Sequence, residues 1–200
     1  MAQGDRESDV SRRSVLATAA LIPVTAISSA GQPPQPALPA SERRTLEAFV
    51  DRLIPRDGNG PSAVECGVAN YIDRSLAGFL ATEKAAFLEG LAAVDAFARG
   101  AHGQPFAELA PAVRDDVLLA MENNTASGFA SGSAAFFNRV RRLTLEGMFS
   151  DPYYGGNRGF AGWDLIRYPG ARLAVSPEEQ KMSVPAKPVR ASAYGGSHGH

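Results

Sequence analysis

The chain has 200 residues, 44% hydrophobic and 20% charged, which describes a globular protein and not a disordered one. Lys+Arg 20 against Asp+Glu 21 gives a net charge of −1, so the basic patch that neutralises phosphates is missing and nucleic acid is not an expected partner. Cys66 is the single cysteine, which excludes an internal disulfide, a cysteine-based zinc site, an iron–sulfur cluster and a covalently attached haem.

Residues 1–30 read as a targeting leader. Ser11-Arg12-Arg13-Ser14-Val15-Leu16 resembles a twin-arginine (Tat) export signal, followed by an apolar run from Val15 to Ile27. Pro23 interrupts that run, which falls short of the ~20 residues that a membrane span needs. Ser28-Ser29-Ala30 places the expected cleavage before Gly31. Ala17 stands where the motif often has lysine, and a general secretory signal is the alternative. The Tat route carries folded cargo, often with a cofactor or a partner attached. A chain so poor in metal-holding residues fits that route by folding onto another protein that has the cofactor.

Residues 31–40 hold Pro33, Pro34, Pro36 and Pro39 and read as an extended linker. A domain is expected over 41–182. Ser41 is a candidate cap for a first helix with Leu46, Phe49, Val50 and Leu53 on one face, stopped by Pro55. Ser62 is the candidate cap of a second, facing the core with Val64, Val68, Tyr71, Ile72, Leu76 and Phe79. A third opens at Thr82, carries Phe87, Leu88, Leu91, Val94 and Phe97, and has Gly100 as its expected C-cap. Pro111 suits the first turn of a fourth, with Val113, Val117, Leu118 and Met121. Residues 123–132 form a Gly/Ser-rich loop, and a fifth helix follows from Ser133 to Met148 with Phe136, Phe137, Val140, Leu143 and Leu145. No window alternates long enough for a strand. The expected fold is all-α, a small irregular bundle of about five helices with an aromatic, glycine-rich C-terminal extended segment. Residues 183–200 read as a disordered tail.

That segment, Asp151 to Gly170, contains Tyr153, Tyr154, Tyr168 and Trp163, the only tryptophan. Aromatic side chains on a glycine-rich frame offer large contact area and close backbone approach, the makings of a binding surface. Trp163 and Tyr168 read first as packing residues, whereas Tyr153-Tyr154-Gly155-Gly156-Asn157 reads equally as packing or as docking surface. Catalytic constellations are thin. His102 lies in a Gly-Ala-His-Gly-Gln-Pro loop, Cys66 reads as a small buried hydrophobe, and Asp51, Asp57, Asp73, Asp115 and Asp116 are scattered among arginines. His198 and His200 at the tail make no designed metal site, and Arg139, Arg141 and Arg142 read as a solvated helix face or a contact to an acidic partner. No catalytic, cofactor or metal residue is assigned.

Two stretches resemble gluconate 2-dehydrogenase subunit 3, the small subunit of membrane-bound flavin-dependent sugar and sugar-acid dehydrogenases. One is Phe49-Val50-Asp51-Arg52-Leu53-Ile54-Pro55-Arg56-Asp57 with Gly60-Pro61-Ser62-Ala63, Gly67-Val68 and Tyr71-Ile72-Asp73. The other is Phe149-Ser150-Asp151-Pro152-Tyr153-Tyr154-Gly155-Gly156-Asn157 with Gly162-Trp163 and Tyr168-Pro169-Gly170. The resemblance implies a subunit without a cofactor, bound to a large FAD subunit that oxidises the sugar, with a multihaem cytochrome c subunit as a further partner. It also implies export of the large subunit as a hitch-hiker on this chain's Tat signal, through Arg12 and Arg13, and a periplasmic complex at the inner membrane. Asp151, Tyr153, Tyr154, Gly155, Gly156, Asn157 and Trp163 are the candidate docking residues. A stand-alone periplasmic helical protein, structural or binding, is the alternative, and an enzyme using His102 or a carboxylate comes last.

Overall fold

A computed structural model describes residues 36–172 and 174–194; the leader with Arg12 and Arg13, and His198 and His200, lie outside the described residues. Among these the chain is all helical, without a strand. The helices are α1 (Ala40–Leu53), α2 (Val68–Ala77), α3 (Lys84–His102), α4 (Pro111–Glu122), α5 (Ser133–Phe149) and a five-residue α6 (Ala161–Leu165). None of the described helices is long and apolar enough to cross a membrane.

The bundle is organised around α1, which packs on α2, α3, α4 and α5, while α5 also packs on α2, α4 and α6. The reason lies in the apolar spacing of α1: Leu46, Phe49 and Val50 are buried at the centre. Phe49 meets Phe106 and Phe137 at ring-centroid distances of 6.0 Å each. Burying a side chain of that size stabilises by roughly 1.5–3 kcal/mol. Arg52 extends the same helix outward to α4, reaching both carboxylate oxygens of Asp115 at 2.7 and 2.9 Å. Ala37 and Leu38, at the end of the proline-rich stretch, are also buried, and the Leu38 N–H donates to Asp73 Oδ1 at 2.8 Å.

Several helix ends differ from the sequence expectation, each for a local reason. Helix α1 starts two residues early, with Pro39 as its N-cap, so Ser41 sits inside the first turn. Ser62 and Glu65 do form a reciprocal cap: the Glu65 N–H donates to Ser62 Oγ (3.2 Å) and the Ser62 N–H to Glu65 Oε2 (2.8 Å). That cap closes only a single turn. Gly67 then takes φ 76°, which breaks the register, and α2 begins at Val68. Val64, left in that turn, and Phe79, beyond the Gly78 C-cap of α2, both expected on the core face, are exposed. Helix α3 runs through Gly100 and ends at Gly103, whose φ of 76° makes the left-handed C-cap. On α5, Leu145 points outward rather than into the core.

Candidate functional site

The aromatic, glycine-rich segment begins where α5 ends. Asp151 caps a single 3-10 turn, Pro152–Tyr154, by accepting the Tyr153 N–H at 2.9 Å. A second 3-10 turn, Arg158–Phe160, leads into α6. Between them Asn157, fully buried and at φ 45°, ties the segment to itself and to α5. Its backbone N–H donates to Gly147 O (2.8 Å) and its Nδ2 to Ser150 O (2.8 Å). Its Oδ1 accepts the N–H groups of Gly162 (2.9 Å) and Trp163 (3.3 Å). Asparagine suits this place because it tolerates the left-handed region and offers a donor and an acceptor at once.

The glycines explain how close the segment comes. A Cβ on Gly156 would stand 2.1 Å from Gly147 O, and one on Gly162 only 1.8 Å from Met148 O. Backbone therefore lies directly on backbone at the C-terminal end of α5. Trp163 is buried, its Nε1–H donating to Phe149 O at 2.9 Å and its ring edge-on to Tyr168 at 4.9 Å. Of the candidate docking residues, then, Gly156, Asn157 and Trp163 are buried within the chain. Gly155 is half-buried, with φ 98°, and a Cβ there would lie 2.8 Å from Arg74 Cδ. Tyr153 and Tyr154 are the ones that face outward, 45% and 36% exposed.

These two rings are held, not loose. They meet edge to face at 5.3 Å, Tyr194 stacks on Tyr153 at 4.9 Å, and the Tyr154 hydroxyl donates to Tyr194 OH at 2.8 Å. That last bond, with the partial desolvation around it, raises the Tyr154 phenol above its ordinary value. Tyr194 is delivered by the chain after Pro169. The Val189 N–H donates to Pro169 O (2.7 Å), Arg190 pairs with Asp164 (2.6 Å), and the Ala193 N–H donates to Asp151 Oδ2 (2.8 Å).

The two stretches of the resemblance, distant in sequence, meet here. The Arg158 N–H donates to Cys66 O at 3.0 Å, a Cβ on Gly67 would stand 3.2 Å from Gly155 O, and one on Gly60 would stand 2.9 Å from Leu165 Cδ1. A groove of about 750 Å³ opens beside this junction, between the end of α2 with Phe79 and the turn from Pro152 to Arg158.

Other sequence candidates lie apart. His102 is exposed in the last turn of α3. Cys66 is buried, and burial pushes its thiol up, away from the thiolate that nucleophilic chemistry needs. Arg139 pairs with Glu83 and Arg142 lies 3.7 Å from Glu146. No group of three or more His, Cys, Asp or Glu among the described residues could hold a metal ion. Sequence reasoning missed Phe79 and Arg74 as members of this surface. Phe79 fitted the helical spacing of a core face, and the signal that could have placed it outside α2 is Gly78, the C-cap directly before it.

The chain has no match among curated proteins or among solved structures. The family model for gluconate 2-dehydrogenase subunit 3 matches residues 40–170, which takes in the whole bundle and both stretches at the junction. The chain therefore belongs to the gluconate 2-dehydrogenase subunit 3 family and is a subunit of a dehydrogenase complex of that kind.

Proposed function

We propose that this chain is the non-catalytic small subunit of a periplasmic, FAD-dependent gluconate or sugar dehydrogenase, and that it supports folding, stability and export of the catalytic subunit. FAD belongs to the large subunit and haem c to a cytochrome subunit, neither to this chain. Arg12 and Arg13 direct the pair through the Tat translocase, the large subunit travelling as a hitch-hiker. The complex then sits peripherally at the inner membrane.

The observation that carries the reading is the contrast within the family-specific segment. Gly156, Asn157 and Trp163 are sealed into the chain, yet Tyr153 and Tyr154 beside them are held outward by aromatic contacts. Large aromatic area exposed on a rigid frame leaves burial free energy unrealised until a partner covers it. Affinity purification of the tagged, exported chain tests this, read by flavin absorbance and by sugar-dependent dye reduction. A stoichiometric yellow partner is the expected result; a lone, colourless chain refutes it. Changing Arg12 and Arg13 to lysine is expected to leave both proteins in the cytoplasm, and export of the flavoprotein regardless would overturn the hitch-hiker step.

A further inference from the structure

The groove beside the tyrosines has a chemistry of its own. Its lining includes Arg74, Phe79, Tyr153, Tyr154 and Arg158, and not one carboxylate. Arg74 and Arg158 are exposed, and neither has a carboxylate partner among the described residues. Both are nonetheless positioned. Arg74 lies across Gly155, with its Nη1 donating to Tyr153 O at 3.3 Å. Arg158 lies over Gly67, where a Cβ would stand 3.6 Å from its Nη2. The left-handed glycines at 67 and 155 thus make a flat floor on which two guanidiniums rest. Phe79, 67% exposed, forms the rim, and it is fixed there by the hydrogen bonds that Gly78 and Leu80 donate to Ser75 O.

We infer that this groove receives an acidic segment of the catalytic subunit, one that presents a carboxylate beside an aromatic or branched aliphatic side chain. The inference deepens the proposed docking role and rests on it. Charge complementarity selects the carboxylate, because two guanidiniums that have no carboxylate partner among the described residues keep donors for one, Arg158 with its fork and Arg74 with the donors it does not give to Tyr153 O. The adjoining Phe79 and tyrosine rings select an occupant with apolar side chains next to its charge, which a free inorganic anion lacks. A volume of about 750 Å³ also exceeds what a single small ion fills.

The test uses the intact complex. A benzoylphenylalanine photo-cross-linker placed at Phe79 is expected to label a flavoprotein peptide containing Asp or Glu beside an apolar residue. The single changes Arg74→Gln and Arg158→Gln are each expected to raise the dissociation constant about tenfold. The double reversal to glutamate is expected to prevent assembly at unchanged circular dichroism and melting temperature, since both side chains are exposed. A complex that forms with unchanged affinity in the double-reversed chain overturns this inference and leaves the docking role standing, as does a cross-link to a neutral or basic peptide. Arginine-dependent binding to phosphatidylglycerol vesicles, with no cross-link to the flavoprotein in an assembled complex, would assign the groove to a lipid headgroup and overturn it too. Absence of any complex with the unaltered chain refutes the docking role itself, and the inference falls with it.

Discussion

Asn157 gives the sharpest test of how the segment is held. Replacing it by alanine strands two buried N–H groups, those of Gly162 and Trp163, and the half-buried Ser150 carbonyl. A buried polar group left without a partner costs about 1–3 kcal/mol, and the low end of that range for each of these groups gives a total of about 3 kcal/mol. Alanine must also adopt φ near 45°, which adds about 1 kcal/mol. Asn157→Ala is therefore expected to cost about 4 kcal/mol, and at about 2–4 °C per kcal/mol in a domain of this size the melting temperature falls by about 10 °C. Asn157→Gly spares the backbone strain and is expected to recover about 1 kcal/mol. Urea titrations followed by Trp163 fluorescence and by far-ultraviolet circular dichroism separate segment from bundle: the fluorescence transition of the variants should come first. An alanine variant as stable as the parent by both probes would refute the bonding scheme, and equal losses for alanine and glycine would refute the backbone argument.

Three further outcomes are expected. Gly162→Ala puts a methyl 1.8 Å from Met148 O, a backbone atom that cannot swing away, so Trp163 should become solvent-accessible to quenchers while the helical signal persists. Burial, with Glu146 beside it, pushes the Tyr71 phenol up to about 12, above the ordinary tyrosine value of about 10. The unfolded chain therefore loses that proton first, and the contribution to stability is whole below pH 10 and is lost as the pH climbs to about 12; Tyr71→Phe should flatten this part of the alkaline stability profile, and an unchanged profile would contradict it. Ending the chain after Pro188 removes the bonds to Pro169, Asp164 and Asp151 and takes Tyr194 off Tyr153. Bundle melting should change little, while nitration of Tyr153 and Tyr154 accelerates; equal nitration rates would count against Tyr194 as their cover.

Much of the bundle is legible from residue spacing alone. Leu46, Phe49 and Val50 repeat at helical intervals and are buried, Pro111 starts α4, and the Gly/Ser-rich residues 123–132 separate α4 from α5. Periodicity works there because helix amphipathicity is a local property that the core then uses. It fails at Val64, Phe79 and Leu145, which keep the period but lie where no neighbouring helix covers them. Gly100 and Gly103 show the same limit: either could end α3, and only the chain's departure toward Phe106, whose N–H donates to Asp95 Oδ1 at 3.0 Å, selects Gly103.

The sequence by itself determined the all-α class, the main helices and the presence of an unusual aromatic–glycine segment, because each is written in neighbouring residues. Only the tertiary structure decided what that segment does with its parts. It put Asn157 and Trp163 inside, turned Tyr153 and Tyr154 outward, and brought Arg74 and Phe79 from α2 and its end to their side. Those outcomes depend on where α5 presents its last carbonyls and how closely glycine lets another backbone approach them, which are relations between residues far apart along the chain.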